Sequence, residues 1–203
     1  MSFYNDVILP RLCDLAMRNK HLAPYRERVI GAAEGRVLEI GVGSGRNLPF
    51  YRSSTRQILA LEPSPKLVDM ARSVPHSGTH VSFLEASAES IPLDNSTVDT
   101  VVTTWTLCTV PQAVTALGEM RRVLRPGGRL LFVEHGLAPD QRVRWWQDRL
   151  DPAWKSISGG CHLNRPIQAM IEQAGFRIDR LETGYMHGLK PMTFMYEGSA
   201  APG

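Results

Sequence analysis

Residues 37–47 read VLEIGVGSGRN. An apolar run stops at Gly41, Gly43 and Gly45, each two residues from the next. Long and β-branched apolar side chains suit a buried strand. Glycine is placed where the backbone turns sharply or where something approaches it closely. A buried strand that opens into such a loop constrains what can surround it, and the downstream pattern agrees. Strands are expected at 36–40, 57–62, 81–85, 98–104 and 129–134. Helices are expected from Arg46, over 66–72 and over 112–124, the last stopped by Arg125-Pro126-Gly127-Gly128. Strands separated by helices predict an α/β fold with a mostly parallel sheet and helices on both faces.

The ends depart from this alternation. The first 33 residues read as helical, with Val7, Ile8, Leu12, Leu15 and Ala16 at helical spacing and a second helix over 22–33. At the other end, a helix over 166–174 precedes strands at 176–183 and 193–197 with no helix expected between them, which predicts an antiparallel edge. The closing GSAAPG reads as a frayed tail. Residues 137–164 fit no strand–helix unit and follow the fifth strand, at the sheet edge where ligands enter such folds. They read as a cap over a pocket. The expected organisation is one domain over 1–203: a helical cap (1–33), a ligand-binding core (34–135), a cap insertion (136–165), a C-terminal helix and strands (166–198), and a tail (199–203).

Composition narrows the function. The 203 residues are 43% apolar and 21% charged, with a net charge of +3 and scattered arginines. No basic run suggests a nucleic-acid track. Cys13, Cys108 and Cys161 are odd in number and lack a CxxC pair, which predicts a reducing compartment and neither a disulfide framework nor a metal site. No apolar stretch reaches membrane-span length, and the N-terminus lacks the pattern of a signal peptide. The expected location is the cytoplasm.

What approaches the glycines can be argued from charge. A dinucleotide fingerprint, G-x-G-x-x-G, needs a glycine at position 46, which is Arg46. Glu39, two residues before the first glycine, also disfavours a pyrophosphate. A ligand with a cationic end and no phosphate fits better, and S-adenosylmethionine is such a ligand. On that reading the helix expected from Arg46 turns its free N–H groups toward the ligand carboxylate. Glu62, 17 residues after Gly45, ends the second strand and can accept hydrogen bonds from ribose hydroxyls.

The pieces VLEIGVGSGRN, LALEPSPKLVDMAR, SAESIPL, NSTVDTVVTTWTLCTV and RRVLRPGGRLLFVEH, in that order over about 36–135, resemble the class I S-adenosylmethionine-dependent methyltransferases. The resemblance implies a Rossmann-like sheet of seven strands with an antiparallel last strand. It assigns Glu39, Gly41, Gly43, Gly45 and Asn47 to the methionine moiety, Glu62 to the ribose, and Ala88 with Glu89 to the adenine end. Ser87 stands where the family often has Asp, and Thr104 completes the cofactor-binding set. A narrower resemblance runs through WTLCTV, LRPGGRLLFVEHG and WWQDRLDPAWKSISGGCHLNRPIQAMIEQAGF. These look like the membrane-associated alkyl-thiol methyltransferases and their bacterial relatives, some described as phospholipid methyltransferase-like. The long apolar anchor of the membrane-associated members is not seen in this sequence.

The expected activity is methyl transfer to a small, largely apolar acceptor, with a thiol leading. The alternatives are phosphatidylethanolamine N-methylation and a non-catalytic adenosylmethionine-binding module. His135, after the fifth strand, is a candidate base. Cys161 and His162 are expected to line the pocket, His162 as a second catalytic candidate, and Asp148 is a third. Trp105 with Trp145 or Trp146 is expected to form aromatic walls. The run Arg142–Trp146 also has the character of a weak membrane-surface contact.

Overall fold

The computed structural model describes residues 4–76 and 78–203. Seven strands form one sheet: β1 (Gly35–Ile40), β2 (Thr55–Leu61), β3 (His80–Leu84), β4 (Val98–Thr104), β5 (Leu124–His135), β6 (Phe176–Tyr185) and β7 (Phe194–Pro202). Their order is β3-β2-β1-β4-β5-β7-β6. The first five run parallel, and β7 pairs antiparallel with both β5 and β6.

Alternation along each strand feeds two cores. Leu38, Ile40, Leu59, Leu61, Val101, Leu130 and Phe132 bury one face. Against them lie α4 (Ala113–Val123), through Ala116, Leu117, Met120 and Val123, and α6 (Ile167–Gln173), through Ile167, Met170 and Ile171. That α4 spacing of one, three and three residues is one helix face. Val37, Ile58, Ala60, Val102, Leu131 and Val133 bury the opposite face. There they meet Val29 of α2 (Ala23–Val29) and Ala71 of α3 (Pro65–Arg72). Both faces are covered, as a parallel sheet requires. Strand order reverses between β1 and β4, so a crevice opens beyond their C-terminal tips.

Two elements cover that crevice. α1 (Leu9–Met17) comes from the N-terminal side, and α5 (Gln141–Ile157) is the helix of the expected cap. They meet: Tyr4 donates a hydrogen bond to the Ile157 carbonyl, and a Cβ at Gly159 would lie 2.5 Å from Leu9 Cδ2.

Three expectations are corrected. A short helix, Lys190–Thr193, stands between β6 and β7, where none was expected. The closing residues do not fray. β7 continues to Pro202, Ala200 is fully buried, and it pairs with Leu130. The small side chains of GSAAPG suit a strand packed tightly beside its neighbours: a Cβ at Gly198 would lie 2.0 Å from the Arg180 carbonyl oxygen. The helix expected from Arg46 is also missing, and only a single 3-10 turn, Leu48–Phe50, follows the glycines. Pro49 has no N–H to extend a ladder, Tyr51 is already extended (ψ 138°), and the side chains of Ser44, Arg46 and Asn47 are committed to tertiary bonds.

Candidate active site at the strand tips

The three glycines share left-handed backbone, at φ 67°, 55° and 80° for Gly41, Gly43 and Gly45, but serve different ends. A Cβ at Gly41 would lie 2.6 Å from Thr106 Oγ1, and one at Gly45 would lie 3.0 Å from Ala71 Cα. Both are packed against protein. At Gly43 the nearest atom among the described residues is the Gly41 carbonyl oxygen, at 3.9 Å. Gly43 is therefore the glycine whose missing side chain leaves room for a ligand.

Acids flank the loop. Glu62, just past β2, is buried and accepts hydrogen bonds from Gly43 N (3.1 Å) and Ser64 N (3.0 Å). Burial raises its pKa against the pull of those two N–H groups. Each carboxylate oxygen keeps a lone pair for a ligand hydroxyl. Glu39 is 1% exposed. Its oxygens accept from Asn47 Nδ2 (2.8 Å) and the Tyr51 hydroxyl (2.9 Å). Asn47 also donates to Thr104 Oγ1 (2.8 Å) and accepts from Arg26 Nε (2.9 Å). Burial dominates Glu39 and pushes its pKa up to about 7, despite these donors and nearby Arg26. A buried acid near neutrality beside a loop with room for a ligand is suited to a cation.

A clamp from α1 was not legible in the sequence. Asp14, 4% exposed, accepts from Ser44 Oγ (2.6 Å) and Arg46 Nε (2.7 Å) in the glycine loop, and from Arg18 Nη2 (2.7 Å). Burial raises its pKa, but these three donors outweigh it and the net shift is downward. Arg26 and Tyr51 were likewise missed. Only the contacts between distant segments reveal their roles.

In the turn expected to face the adenine, Ala88 is buried and Ser87 is exposed. Ser87 donates to Glu89, and Glu89 accepts from Gln112 N at 3.2 Å. The Ser87 hydroxyl is thus committed to Glu89, which joins this turn to the start of α4.

The catalytic candidates separate. His135 lies at the tip of β5, with Nε2 3.2 Å from Cys161 Sγ and with Nδ1 buried and unpartnered among the described residues. Burial lowers its pKa, but Cys161, Glu134 and Asp151 outweigh this and raise it. His162 enters through its backbone, donating to the Cys108 carbonyl (2.9 Å), while its ring Nδ1 meets Asp151 Oδ2 at 3.0 Å. Asp148 is corrected as a base. It is exposed on α5 and accepts from Asn164 at 2.7 Å, because the helix turns that face outward. Nearby Arg144 donates its Nε–H to the Ala138 carbonyl at 2.6 Å. Trp145 and Trp146 are corrected as walls: they pack edge to face on the outside of α5, 59% and 51% exposed. Trp105 remains at the tip of β4, with φ 50° and the Arg26 guanidinium 5.2 Å from its ring centroid. A bulky residue held there is strained, and such strain gathers at functional sites.

Glu134 is a further buried acid at this edge. It accepts from Thr103 Oγ1 (2.8 Å), Thr106 N (3.1 Å) and Leu107 N (3.2 Å), which fixes the chain beyond β4. Arg165 ties the same segment to the cap through the carbonyls of Leu107 and Val110.

Strand order, a glycine loop open at Gly43 and acids at adjacent strand tips define a class, and comparison with known proteins agrees. Residues 38–132 match the methyltransferase domain family, and this match, the relatives and the fold together support a class I S-adenosylmethionine-dependent methyltransferase. It is similar to thiol S-methyltransferase TMT1B of Rattus norvegicus, 36% identical over 151 residues, covering 72% of this chain and 62% of the relative. It is also similar to thiol S-methyltransferase TMT1A of Homo sapiens, 34% identical over 145 residues, covering 69% of this chain and 59% of the relative. The chain thus spans about three fifths of the length of these curated relatives. In fold it is similar to a methyltransferase of Thermotoga maritima, with a TM-score of 0.70, 22% identity, and 99% and 98% of the two chains covered. Among the described residues, no helix is long and apolar enough to cross a membrane.

Proposed function

We propose that the chain transfers the methyl group of S-adenosylmethionine to a small thiol. The observation that carries this reading is the pairing of the open glycine, Gly43, with two buried acids, Glu39 and Glu62, at the tips of adjacent parallel strands. Likeness to thiol S-methyltransferases over about 70% of the chain supports a sulfur acceptor.

The cofactor fits these residues. Gly43 leaves the space its Cβ would fill, Glu62 presents free lone pairs at ribose position, and Glu39 supplies negative potential for a cationic end. Gly41, Gly45, Asn47 and Thr104 hold that framework, and Ala88 with Glu89 borders the adenine end. Bound there, S-adenosylmethionine supplies an electrophilic methyl group on a sulfonium. The protein's task is to orient the acceptor sulfur in line with it and keep the site dry. Asp14 holds α1 over the loop, and Arg165 holds the cap against the segment beyond β4. His135, half-buried beneath the cap, is placed to take a proton from a thiol.

The test is S-adenosylhomocysteine formation across alkyl thiols, hydrogen sulfide, catechols, small amines and phosphatidylethanolamine vesicles. Turnover with thiols is expected; turnover confined to vesicles would replace the thiol by a lipid amine. The outward tryptophans of α5, beside Arg142, Arg144 and Arg149, favour that second reading and a weak membrane contact.

A further inference from the structure

The three residues that converge beneath the cap are far apart in the chain: Cys108 beyond β4, His135 at the tip of β5 and Cys161 after α5. One ligand atom from each lies within 4.8 Å of the others, and His135 Nε2 is 3.2 Å from Cys161 Sγ. Cys108 is buried, and the other two are half-buried. We infer that Cys108, His135 and Cys161 bind one zinc-class divalent cation whose fourth position takes the acceptor thiol as thiolate. The inference rests on the proposed function and names how that site would hold its acceptor.

Four observations carry it. The donor set, two sulfurs and one imidazole, is the soft set that selects Zn2+. The spacing is close to what the cation needs: a tetrahedral ion with bonds of about 2.3 Å to sulfur and about 2.0 Å to nitrogen sets its ligand atoms roughly 3.5–3.8 Å apart. The site is held on both sides, since His162 N donates to the Cys108 carbonyl and Arg165 donates to Val110 O at 2.6 Å. Finally, Cys108 and Cys161 are both free cysteines, so each sulfur is available to the cation. Three protein ligands with one open position is the arrangement of a catalytic rather than a structural zinc site.

The cluster borders the cofactor crevice. Thr106, two residues before Cys108, packs against Gly41 and donates to the Ile40 carbonyl. The chemistry balances. Cys108 and Cys161 each release a proton on binding the cation, and the acceptor R–SH releases its own on joining it. In transfer the acceptor sulfur forms the new S–C bond while the sulfonium S–C bond breaks, its electron pair remaining on the donor sulfur. A bound thiolate needs no side-chain base, which removes that duty from His135.

The test uses the full chain, reduced, stripped by a chelator, and reloaded with Zn2+ or with Co2+ as a spectroscopic substitute. One zinc per chain is expected, with an intense sulfur-to-cobalt charge-transfer absorption that shifts when an alkyl thiol is added. Cys108→Ser and Cys161→Ser are each expected to weaken the metal by more than the roughly 10–100-fold lost when only a ligand-orienting group is removed. Cys13→Ser is expected to leave it unchanged. Calorimetric binding of S-adenosylhomocysteine shows that each variant is folded. The inference is overturned by a folded, reduced chain that takes up no zinc, by unchanged stoichiometry in the double serine variant, or by a Cys108–Cys161 disulfide under reducing conditions. Full-rate thiol methylation by the zinc-free chain overturns it and leaves the proposed function standing. One bound zinc whose cobalt spectrum answers to thiols, on a chain that methylates none of them, supports the site and removes the proposed function.

Discussion

Gly43 carries the most at the scale of single residues. Its φ of 55° is costly for any other residue, by roughly 1–2 kcal/mol. Space for a side chain exists in the protein, so Gly43→Val is expected to fold with slightly reduced stability. Its cofactor affinity is expected to collapse, because the valine fills the ligand's place. Calorimetry showing unchanged affinity would move the cradle elsewhere. Glu62→Ala is expected to weaken cofactor binding by about 1–3 kcal/mol, the scale for leaving buried hydroxyls without a charged acceptor. An unchanged dissociation constant would place the ribose elsewhere.

Glu39 gives the pH prediction. Its folded pKa, about 7, lies above the ordinary carboxylate value. Between roughly pH 4.5 and 7 the folded state holds a proton the unfolded state has lost, so this residue's contribution to stability falls as pH rises through that window and levels off above it. A cationic ligand favours the charged form. Adenosylmethionine affinity is therefore expected to rise from pH 6 to pH 8, with proton release on binding below pH 7, and Glu39→Gln is expected to flatten the profile. A flat profile in the unmutated chain would separate Glu39 from the ligand's cationic end.

Among the secondary elements, α1 is the part that couples the site to the outer shell. Asp14 is the joint, receiving Ser44 and Arg46 from the loop. Asp14→Ala removes a buried acceptor from partly exposed arginines, at a cost of about 1–3 kcal/mol. Faster amide exchange over residues 9–17 and 43–47 is expected, with weaker cofactor binding. Unchanged exchange in the loop would reduce α1 to a passive cover. The strands were legible because apolar alternation and the order of strands and helices are local signals. The missing helix after Gly45 was not, since the side chains of Ser44, Arg46 and Asn47 are claimed by Asp14 and Glu39, which lie elsewhere in the chain. The outward face of Asp148 and the paired tryptophans on α5 was equally hidden, because the sequence of that helix does not say which side meets the sheet.

Over the whole molecule, a doubly covered sheet brings its chemistry to one edge. On the proposed function, the cofactor residues come from the tips of β1, β2 and β4, and the acceptor side from β5 and the cap. That division explains what could be read beforehand. The glycine loop and Glu62 follow from charge, spacing and resemblance, since each sits at the tip of a recognisable strand. The convergence of Cys108, His135 and Cys161 does not, because 53 residues separate the cysteines and only the return of the cap over β5 joins them. The absence of a CxxC pair said nothing about that meeting.

The most direct measurement is product stoichiometry: one alkyl thiol and adenosylmethionine incubated with the purified chain, with S-adenosylhomocysteine and the S-methylated thiol both quantified by mass spectrometry. The account predicts equal amounts of the two products, and neither above background with Gly43→Val. S-adenosylhomocysteine without methylated thiol, or undiminished turnover by Gly43→Val, would contradict it.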